Sequence, residues 1–151
     1  MAIWFANPSI EDAKASQVGL LAPHLGIEMT EFGPDYLRGT MPVEPHTRQP
    51  MGFLHGGASL VLAETLGSVA ANFVVDRAKF RCLGQEINAN HLRPVSDGVV
   101  IGTARPFHIG ARSQVWSIEI RDPAERLVCI SRLTMAVVEW RPKSEDPKSW
   151  K

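Results

Sequence analysis

The chain has 151 residues, of which 44% are hydrophobic, and this length suits a single domain with a core of its own. Lys plus Arg and Asp plus Glu number 16 each, so the net charge indicates neither a nucleic acid nor an anionic membrane as a partner. The N-terminal segment has early acidic residues and no long apolar run, which argues against a secretory signal. We therefore expect a cytoplasmic protein.

The N-terminal third predicts short elements. Ser9 is a typical helix N-cap, and the acidic residues after it favour a helix that ends before Pro23. Two strands are predicted over 26–30 and 36–43, separated by a Gly-Pro turn. A loop rich in turn residues, 42–52, then leads to the main helix.

The segment 57–75 predicts one long helix. It contains many Ala and Leu residues and no Pro, and it is apolar on almost every side, which is typical of a buried helix. Its one charged residue is Glu64. Because a carboxylate at the centre of a bilayer is costly, we expect a core helix and not a membrane span.

The second half of the chain predicts an antiparallel meander. The predicted strands cover 85–92, 99–105, 114–121 and 127–139. Along the third, Trp116, Ile118 and Ile120 alternate with more polar neighbours, so they should face a core. We expect an α+β fold in which a strongly curved sheet covers the helix. Residues 1–140 would form one domain, and 141–151 a polar tail.

The two cysteines, Cys82 and Cys129, lie in separate apolar stretches typical of strands. Two cysteines without a CxxC spacing predict neither a disulfide framework nor a zinc site. The histidines lack HExxH spacing, and no GxSxG, P-loop or GxGxxG motif is present. We expect reduced core cysteines and no metal.

Glu64 needs either partners or a chemical task, because an apolar helix disfavours a carboxylate. Ser68 lies one turn further on the same face and can donate a hydrogen bond to it. A structural glutamate that pairs with an arginine or caps another helix is the alternative interpretation. Position alone does not distinguish the two.

The entrance of the helix favours the catalytic interpretation. His55 and the glycines Gly56 and Gly57 precede the apolar run. Glycines leave backbone N–H groups uncovered at a positive helix end, where they can bind a carbonyl oxygen or an oxyanion, although they can also simply form a tight turn. Gln49, in the preceding loop, could donate a second hydrogen bond to the same carbonyl.

The spacing of these groups has a geometric consequence. Gly56 and Glu64 are eight residues apart, which is about 12 Å along a helix axis. One substrate carbonyl cannot contact both positions. If both act on one substrate, Glu64 must come from a second copy of the chain, which predicts a dimer with active sites shared between chains.

A cationic group lies near two predicted strand ends. Arg93 follows one strand, and Arg105 and Arg112 flank the segment PFHIG. Arginines at such positions can bind phosphate groups, although solvated strand-end charges are the alternative for any one of them.

The segment RQPMGFLHGGASLVLAETLGS, residues 48–68, resembles hotdog-fold acyl-CoA thioesterases. The segments EINANHLR, HIGAR and SRLTM extend this likeness, which covers roughly residues 18–139, with 49–68 as its most specific part. The branch concerned contains the Arthrobacter-type 4-hydroxybenzoyl-CoA thioesterases, the dihydroxynaphthoyl-CoA hydrolases and the phenylacetate-pathway thioesterases. The chain is most similar to the dihydroxynaphthoyl-CoA hydrolases.

The resemblance implies a hotdog fold, in which a curved antiparallel sheet wraps around one long central helix. It also implies homodimers, often paired into homotetramers. The implied reaction is the hydrolysis of an acyl-CoA thioester, most readily an aromatic one, with no cofactor besides the coenzyme A of the substrate.

The resemblance also implies residue roles. Glu64 would attack the thioester carbonyl or activate a water, while the Gly56 amide and Gln49 would bind the carbonyl oxygen. His55 would lie beside the thioester, and Ser68 would orient Glu64 or the water. The residues implied in coenzyme A binding are Gly84, His91, Leu92, Arg93, Pro94, His108, Ile109, Gly110, Ala111, Arg112 and Ser113.

Two other functions fit the same fold. One is a non-catalytic module that binds acyl-CoA or an aromatic ligand, since fold does not fix function. The other is a dehydratase that acts on acyl-carrier thioesters with a histidine and a carboxylate across a tunnel. The trio Gln49, His55 and Glu64 favours an enzyme, and the pattern HGGASLVLAE resembles thioesterases more than dehydratases.

Overall fold

A computed structural model describes residues 2–140, and the predicted polar tail, 141–151, lies outside them. The helices are α1 (Ile10–Ala15), α2 (Leu21–His24) and α3 (Gly56–Val74), with a 3₁₀ turn at Pro45–Thr47. The strands are β1 (Glu28–Phe32), β2 (Leu37–Pro42), β3 (Phe80–His91), β4 (Val99–Ile109), β5 (Ser113–Arg121) and β6 (Leu127–Glu139).

The six strands form one antiparallel sheet in the order β1-β2-β4-β5-β6-β3. Helix α3 contacts β2, β3, β4, β5 and β6, so the sheet curves around it. The predicted α+β hotdog architecture, with a curved antiparallel sheet around one long helix, is confirmed. Strand β3 lies at one edge of the sheet and pairs with β6 alone among the described strands.

The inner face of the sheet carries the core residues that alternation predicts. Trp116, Ile118 and Ile120 have no solvent exposure, whereas Glu119 between them is exposed. This confirms the predicted face of β5.

Glycines set the distance between α3 and the sheet. Gly39 of β2 and Gly102 of β4 are directly paired, and Leu66 of α3 lies against both. A Cβ atom at either glycine would come within 2.8 Å of a Leu66 methyl group, closer than carbon atoms normally approach. On the other side, a Cβ at Gly67 would come within 2.5 Å of Leu133. The helix is therefore seated deeply in the curve of the sheet.

Helix α3 is long and apolar enough to cross a bilayer by length and composition alone. However, 56% of its most apolar 18-residue window is buried inside the protein. An apolar helix enclosed by its own sheet is what the sequence predicts for residues 57–75.

The N-terminal helical region differs from the single helix predicted to end before Pro23. Ser9 caps α1 as predicted, but α1 ends at Ala15. Gly19 then adopts a φ of +73°, in the left-handed region that ends helical geometry. Helix α2 follows and includes Pro23 in its first turn, where a missing N–H removes no helical hydrogen bond.

The predicted start of the third strand, Gln85, was wrong by five residues, since β3 begins at Phe80. The pairing with β6 shifts at a bulge between Gly84 and Glu86, so the inward and outward positions exchange there. An alternation that changes phase in mid-strand conceals the strand in the sequence.

The fourth strand also extends further than predicted, through Pro106 to Ile109. Strand β2 pairs with β4 only as far as Ala104, so β4 is unpaired on that side at Pro106. A proline is tolerated there because no ladder hydrogen bond needs its N–H.

The two cysteines provide a test of the core. Cys82 and Cys129 are free and buried, and burial raises the pKa of each thiol from 9.0 to about 11. At pH 8 this shift lowers the reactive thiolate fraction about a hundredfold, and burial restricts access as well. We expect the folded protein to resist a chromogenic disulfide reagent that labels both thiols in denaturant. Labelling of the folded protein as fast as that of the denatured chain would contradict this core.

Candidate active site

His55 caps the N-terminus of α3. Its extended backbone ends the preceding loop, and its Nδ1 accepts a hydrogen bond from the Gly57 N–H at 2.8 Å. An accepting Nδ1 is unprotonated, so the hydrogen bond assigns the proton of the neutral ring to Nε2. The imidazole is largely exposed, which leaves the Nε2–H group available as a donor.

Gln49 is held by the loop that precedes α3. Its Oε1 accepts a short hydrogen bond from the Met51 N–H, and its backbone carbonyl accepts from the Gly52 N–H at 2.9 Å. With the oxygen bound to the loop, the side chain offers its NH₂ group as a donor. The acceptor atoms of Gln49 and His55 are thus both occupied, and the Gln49 NH₂ and His55 Nε2–H groups remain available to bind a carbonyl oxygen.

Glu64 lies between α3 and the edge strand β3. Ser68 donates a hydrogen bond to Glu64 Oε1 at 3.0 Å, as the four-residue spacing predicts. On the other side, a Cβ atom at Gly84 would come within 2.5 Å of the same oxygen. Glu64 is partly buried in the single chain, less enclosed than the sequence suggests.

The candidate residues fall into two groups that lie toward opposite ends of β3. The first, here called the carboxylate end, consists of Glu64, Ser68, Gly84 and residues 108–113. The second, here called the glycine end, consists of Gln49, His55, Gly56 and residues 91–94.

The strand pairings bring the members of the carboxylate end together. Ala136 of β6 pairs with Leu83, beside Gly84, and with Ser113, which closes the turn after β4. The Arg112 carbonyl in that turn accepts from the Val137 N–H at 2.9 Å.

The glycine end is assembled by different contacts. A Cβ atom at Gly56 would come within 2.7 Å of His91 Nε2, so His91 covers the start of α3. Leu54 donates its N–H to the Val95 carbonyl at 2.7 Å, which joins the loop before α3 to the segment after β3. His91 thus lies against the predicted carbonyl-binding amide as well as in the implied coenzyme A set.

The two ends are separated within one chain. His91 pairs with Cys129 and Leu83 pairs with Ala136, so the two ends are seven positions apart along β6. At 3.3 Å per residue this is roughly 20 Å along the strand. A single chain therefore does not bring Glu64 to Gly56.

One arginine of the predicted cationic group is engaged elsewhere. Arg105 forms an ion pair with Asp35 at 3.1 Å and stacks on the Tyr36 ring at 4.3 Å from its centroid. It stabilises the contact of β4 with the turn before β2. Arg93 at the glycine end and Arg112 at the carboxylate end are both exposed. Within residues 2–140 there is no group of three or more His, Cys, Asp or Glu side chains that could hold a metal ion.

Asn72 is a further polar residue of α3, and it was not among the predicted site residues. Its side chain binds the backbone of both α3 and β3, through Ser68 and Cys82. Glu64, Ser68 and Asn72 are spaced by four residues, so they form one polar line along α3. This spacing was the available signal.

The fold and the site lead to a family. The model of the thioesterase superfamily matches residues 51–129, which is more than half of the chain. The chain belongs to the thioesterase superfamily. The resemblance to hotdog-fold thioesterases, and with it the prediction of a thioesterase enzyme, is confirmed.

Individual relatives agree with this family. The thioesterase is 48% identical over 136 residues to the proofreading thioesterase EntH of Cronobacter turicensis, with 90% of this chain and 98% of the relative covered. It is 46% identical over 136 residues to the 1,4-dihydroxy-2-naphthoyl-CoA hydrolase of Escherichia coli, with 90% and 99% covered. A crystal structure of a mutant thioesterase from Pseudomonas aeruginosa superposes with a TM-score of 0.90 at 43% identity, covering 92% of this chain and 100% of the other.

His55 uses one ring nitrogen to cap the helix and leaves the other as a donor: Nδ1 caps α3, and the Nε2–H group is available to a substrate. Asparagine places an acceptor where Nδ1 lies and can cap α3, whereas glutamine reaches the position of Nε2 but caps poorly. We expect His55→Gln to lower the free energy of unfolding by about 1 kcal/mol and His55→Asn to change it little. Urea denaturation of both variants measures this difference. Equal destabilisation of the two variants would show that the cap does not contribute.

Proposed function

We propose that this thioesterase hydrolyses aromatic acyl-CoA thioesters, with Glu64 as the catalytic carboxylate. The observation that carries the proposal is the setting of Glu64. It is the one charged residue of α3, it accepts a hydrogen bond from Ser68, and a glycine of β3 leaves room for its carboxylate. Such a group can act as a nucleophile or as a general base.

Three donors would bind the thioester oxygen. The Gly56 N–H lies at the positive end of α3, where backbone donors stabilise a developing oxyanion. The Gln49 NH₂ group and the His55 Nε2–H group would add to it, because the loop occupies the Gln49 acceptor and the first turn of α3 occupies the His55 acceptor. A carbonyl oxygen that gains negative charge during attack is stabilised more strongly than the ground state.

Either form of the reaction balances. As a nucleophile, Glu64 forms an anhydride with the acyl carbon and expels the coenzyme A thiolate, and water then cleaves the anhydride. As a general base, Glu64 takes a proton from water while the water oxygen bonds to the acyl carbon and the thiolate leaves. In both cases the products are the free acid and coenzyme A.

We further propose that each site combines the glycine end of one chain with the carboxylate end of another, in a homodimer. The separation of the two ends within one chain supports this. Strand β3 lies at the sheet edge, where a second β3 can pair in the antiparallel direction. If the twofold axis passes between Ile87 and Asn88, Gly84 of one chain lies opposite His91 of the other. Glu64 of the first chain then approaches Gly56 of the second.

The same arrangement gives coenzyme A a continuous binding surface. Residues 91–94 come from the chain that supplies the carbonyl donors, and Gly84 with residues 108–113 comes from the chain that supplies Glu64. Arg93 and Arg112 would bind phosphate groups. The aromatic class of acyl group rests on the resemblance to dihydroxynaphthoyl-CoA hydrolases, and exposed Met51 and Phe53 beside Gln49 offer apolar surface for a ring.

Replacement of Glu64 tests the proposal. Glu64→Ala removes the attacking or proton-accepting group, so kcat should fall by about three orders of magnitude or more while KM changes little. Release of coenzyme A thiol would be measured with hydroxybenzoyl-CoA, phenylacetyl-CoA and palmitoyl-CoA. The wild type should hydrolyse the aromatic thioesters faster than palmitoyl-CoA.

The control for this experiment is Glu119→Ala, which removes an exposed carboxylate from the outer face of β5 and should leave kcat unchanged. If folded Glu64→Ala retains more than about a tenth of the wild-type kcat, the catalytic assignment is wrong. A faster reaction with palmitoyl-CoA would refute the aromatic class alone. Absence of turnover by the wild type with every thioester would favour a binding module.

A further inference from the structure

Asn72 joins α3 to the edge strand β3 through two hydrogen bonds, and a third holds its carboxamide on α3. Its Oδ1 accepts from the Cys82 N–H at 2.9 Å, and its Nδ2 donates to the Cys82 carbonyl at 3.0 Å. The same Nδ2 donates to the Ser68 carbonyl at 2.9 Å. One carboxamide thereby satisfies both peptide groups of a strand residue and anchors them to the helix.

These hydrogen bonds act on the free edge of β3. Val137 lies opposite Cys82 in the ladder but donates its N–H to the Arg112 carbonyl. The Cys82 peptide groups therefore point away from β6, towards the edge that has no strand beside it. Asn72 takes the place of a neighbouring strand at this one position.

The anchored position lies beside the gap that holds Glu64. Gly84 follows Cys82 by two residues and faces α3 on the same side of the strand. Its missing side chain leaves room for Glu64 Oε1, to which a Cβ would come within 2.5 Å. Directly after Gly84 the bulge at Gln85 interrupts the pairing with β6, so the ladder holds the strand less firmly on that side.

We propose that Asn72 is a positioning residue for Glu64, and that it acts by fixing the distance between α3 and β3 at Gly84. The inference rests on the catalytic role proposed for Glu64. Without the carboxamide, β3 is free to move away from the helix, and the carboxylate loses the surface that limits its rotamers. A misplacement of a reacting group by about 1 Å can lower a rate about a hundredfold.

The test compares Asn72→Ala with Phe73→Leu. Phe73 is the next residue of α3, and its ring packs on Phe32 at 5.2 Å, away from Glu64. Both variants should lower Tm. Asn72→Ala should also lower kcat about ten- to a hundredfold with KM within about twofold, whereas Phe73→Leu should leave kcat within about twofold. A kcat for Asn72→Ala within twofold of wild type, or a loss equal to that of Phe73→Leu, overturns the inference.

A double-mutant cycle with Gly84→Ala tests whether Asn72 and Gly84 act on kcat through the same carboxylate, Glu64. The added methyl group displaces Glu64 from the other side without touching the Asn72 hydrogen bonds. Because both substitutions displace one carboxylate, the double variant should lose little more kcat than the worse single variant. Additive losses in kcat would contradict a shared action on Glu64.

A second Asn72 variant and a parallel assay of Glu64→Ala serve as controls. If Asn72→Ala does not fold, Asn72→Ser can still donate to the Ser68 carbonyl but is too short to reach Cys82, and the same kcat loss is expected. Glu64→Ala is assayed in parallel. An inactive Glu64→Ala with a fully active Asn72 variant overturns the positioning inference alone, whereas an active Glu64→Ala removes the proposed function on which it rests.

Discussion

The curved sheet can enclose α3 at this distance only because glycines lie where the helix and the sheet meet. Leu66 lies over the paired glycines Gly39 and Gly102, and Gly67 admits Leu133 from the other side. Larger residues at these glycines would push the helix out of the curve. With the helix at this depth, Glu64 and Asn72 reach the edge strand β3, and all three residues of the polar line with Ser68 remain partly buried.

The position of α3 in the sheet also separates the glycine end from the carboxylate end, whose groups are proposed to act together. The start of α3, where His91 lies against Gly56, is at one end of β3, and the carboxylate lies near the other. A helix has a fixed rise of about 1.5 Å per residue, so no rearrangement within one chain closes a span of eight residues. The antiparallel pairing of two β3 edges proposed here would bring these groups together and would also cover the edge strand.

Much of this architecture could be predicted from the sequence because its signals are local. The apolar run of α3 and the alternation around Trp116 identify a buried helix and a half-buried strand without tertiary information. Glu64 and Ser68 stand out through spacing alone. Segment 48–68 carried the resemblance to the family. The need to cover an apolar helix on several sides predicted a curved sheet, and the resemblance implied the same, although strand propensity alone could not.

The features that were missed depend on tertiary contacts. The start of β3 was hidden because the bulge at Gly84 changes the phase of alternation. Pro106 is compatible with a strand because β2 ends before reaching it and the pairing with β5 shifts directly after it. Asn72 gains its importance from Cys82, ten residues away, and no sequence pattern connects the two. Arg105 was grouped with phosphate-binding candidates, although Asp35 and Tyr36 engage it.

Complementation between two inactive variants tests directly whether each active site is shared between two chains. Glu64→Ala and Gln49→Ala chains, each nearly inactive alone, would be co-expressed with different tags and the mixed dimer purified. In a shared site, the intact glycine end of the first chain meets the intact carboxylate of the second, so one of the two sites is wild type. About half of the wild-type activity per dimer should return. A verified mixed dimer that is no more active than its parents would contradict the shared site, because a site built within one chain always keeps its defect.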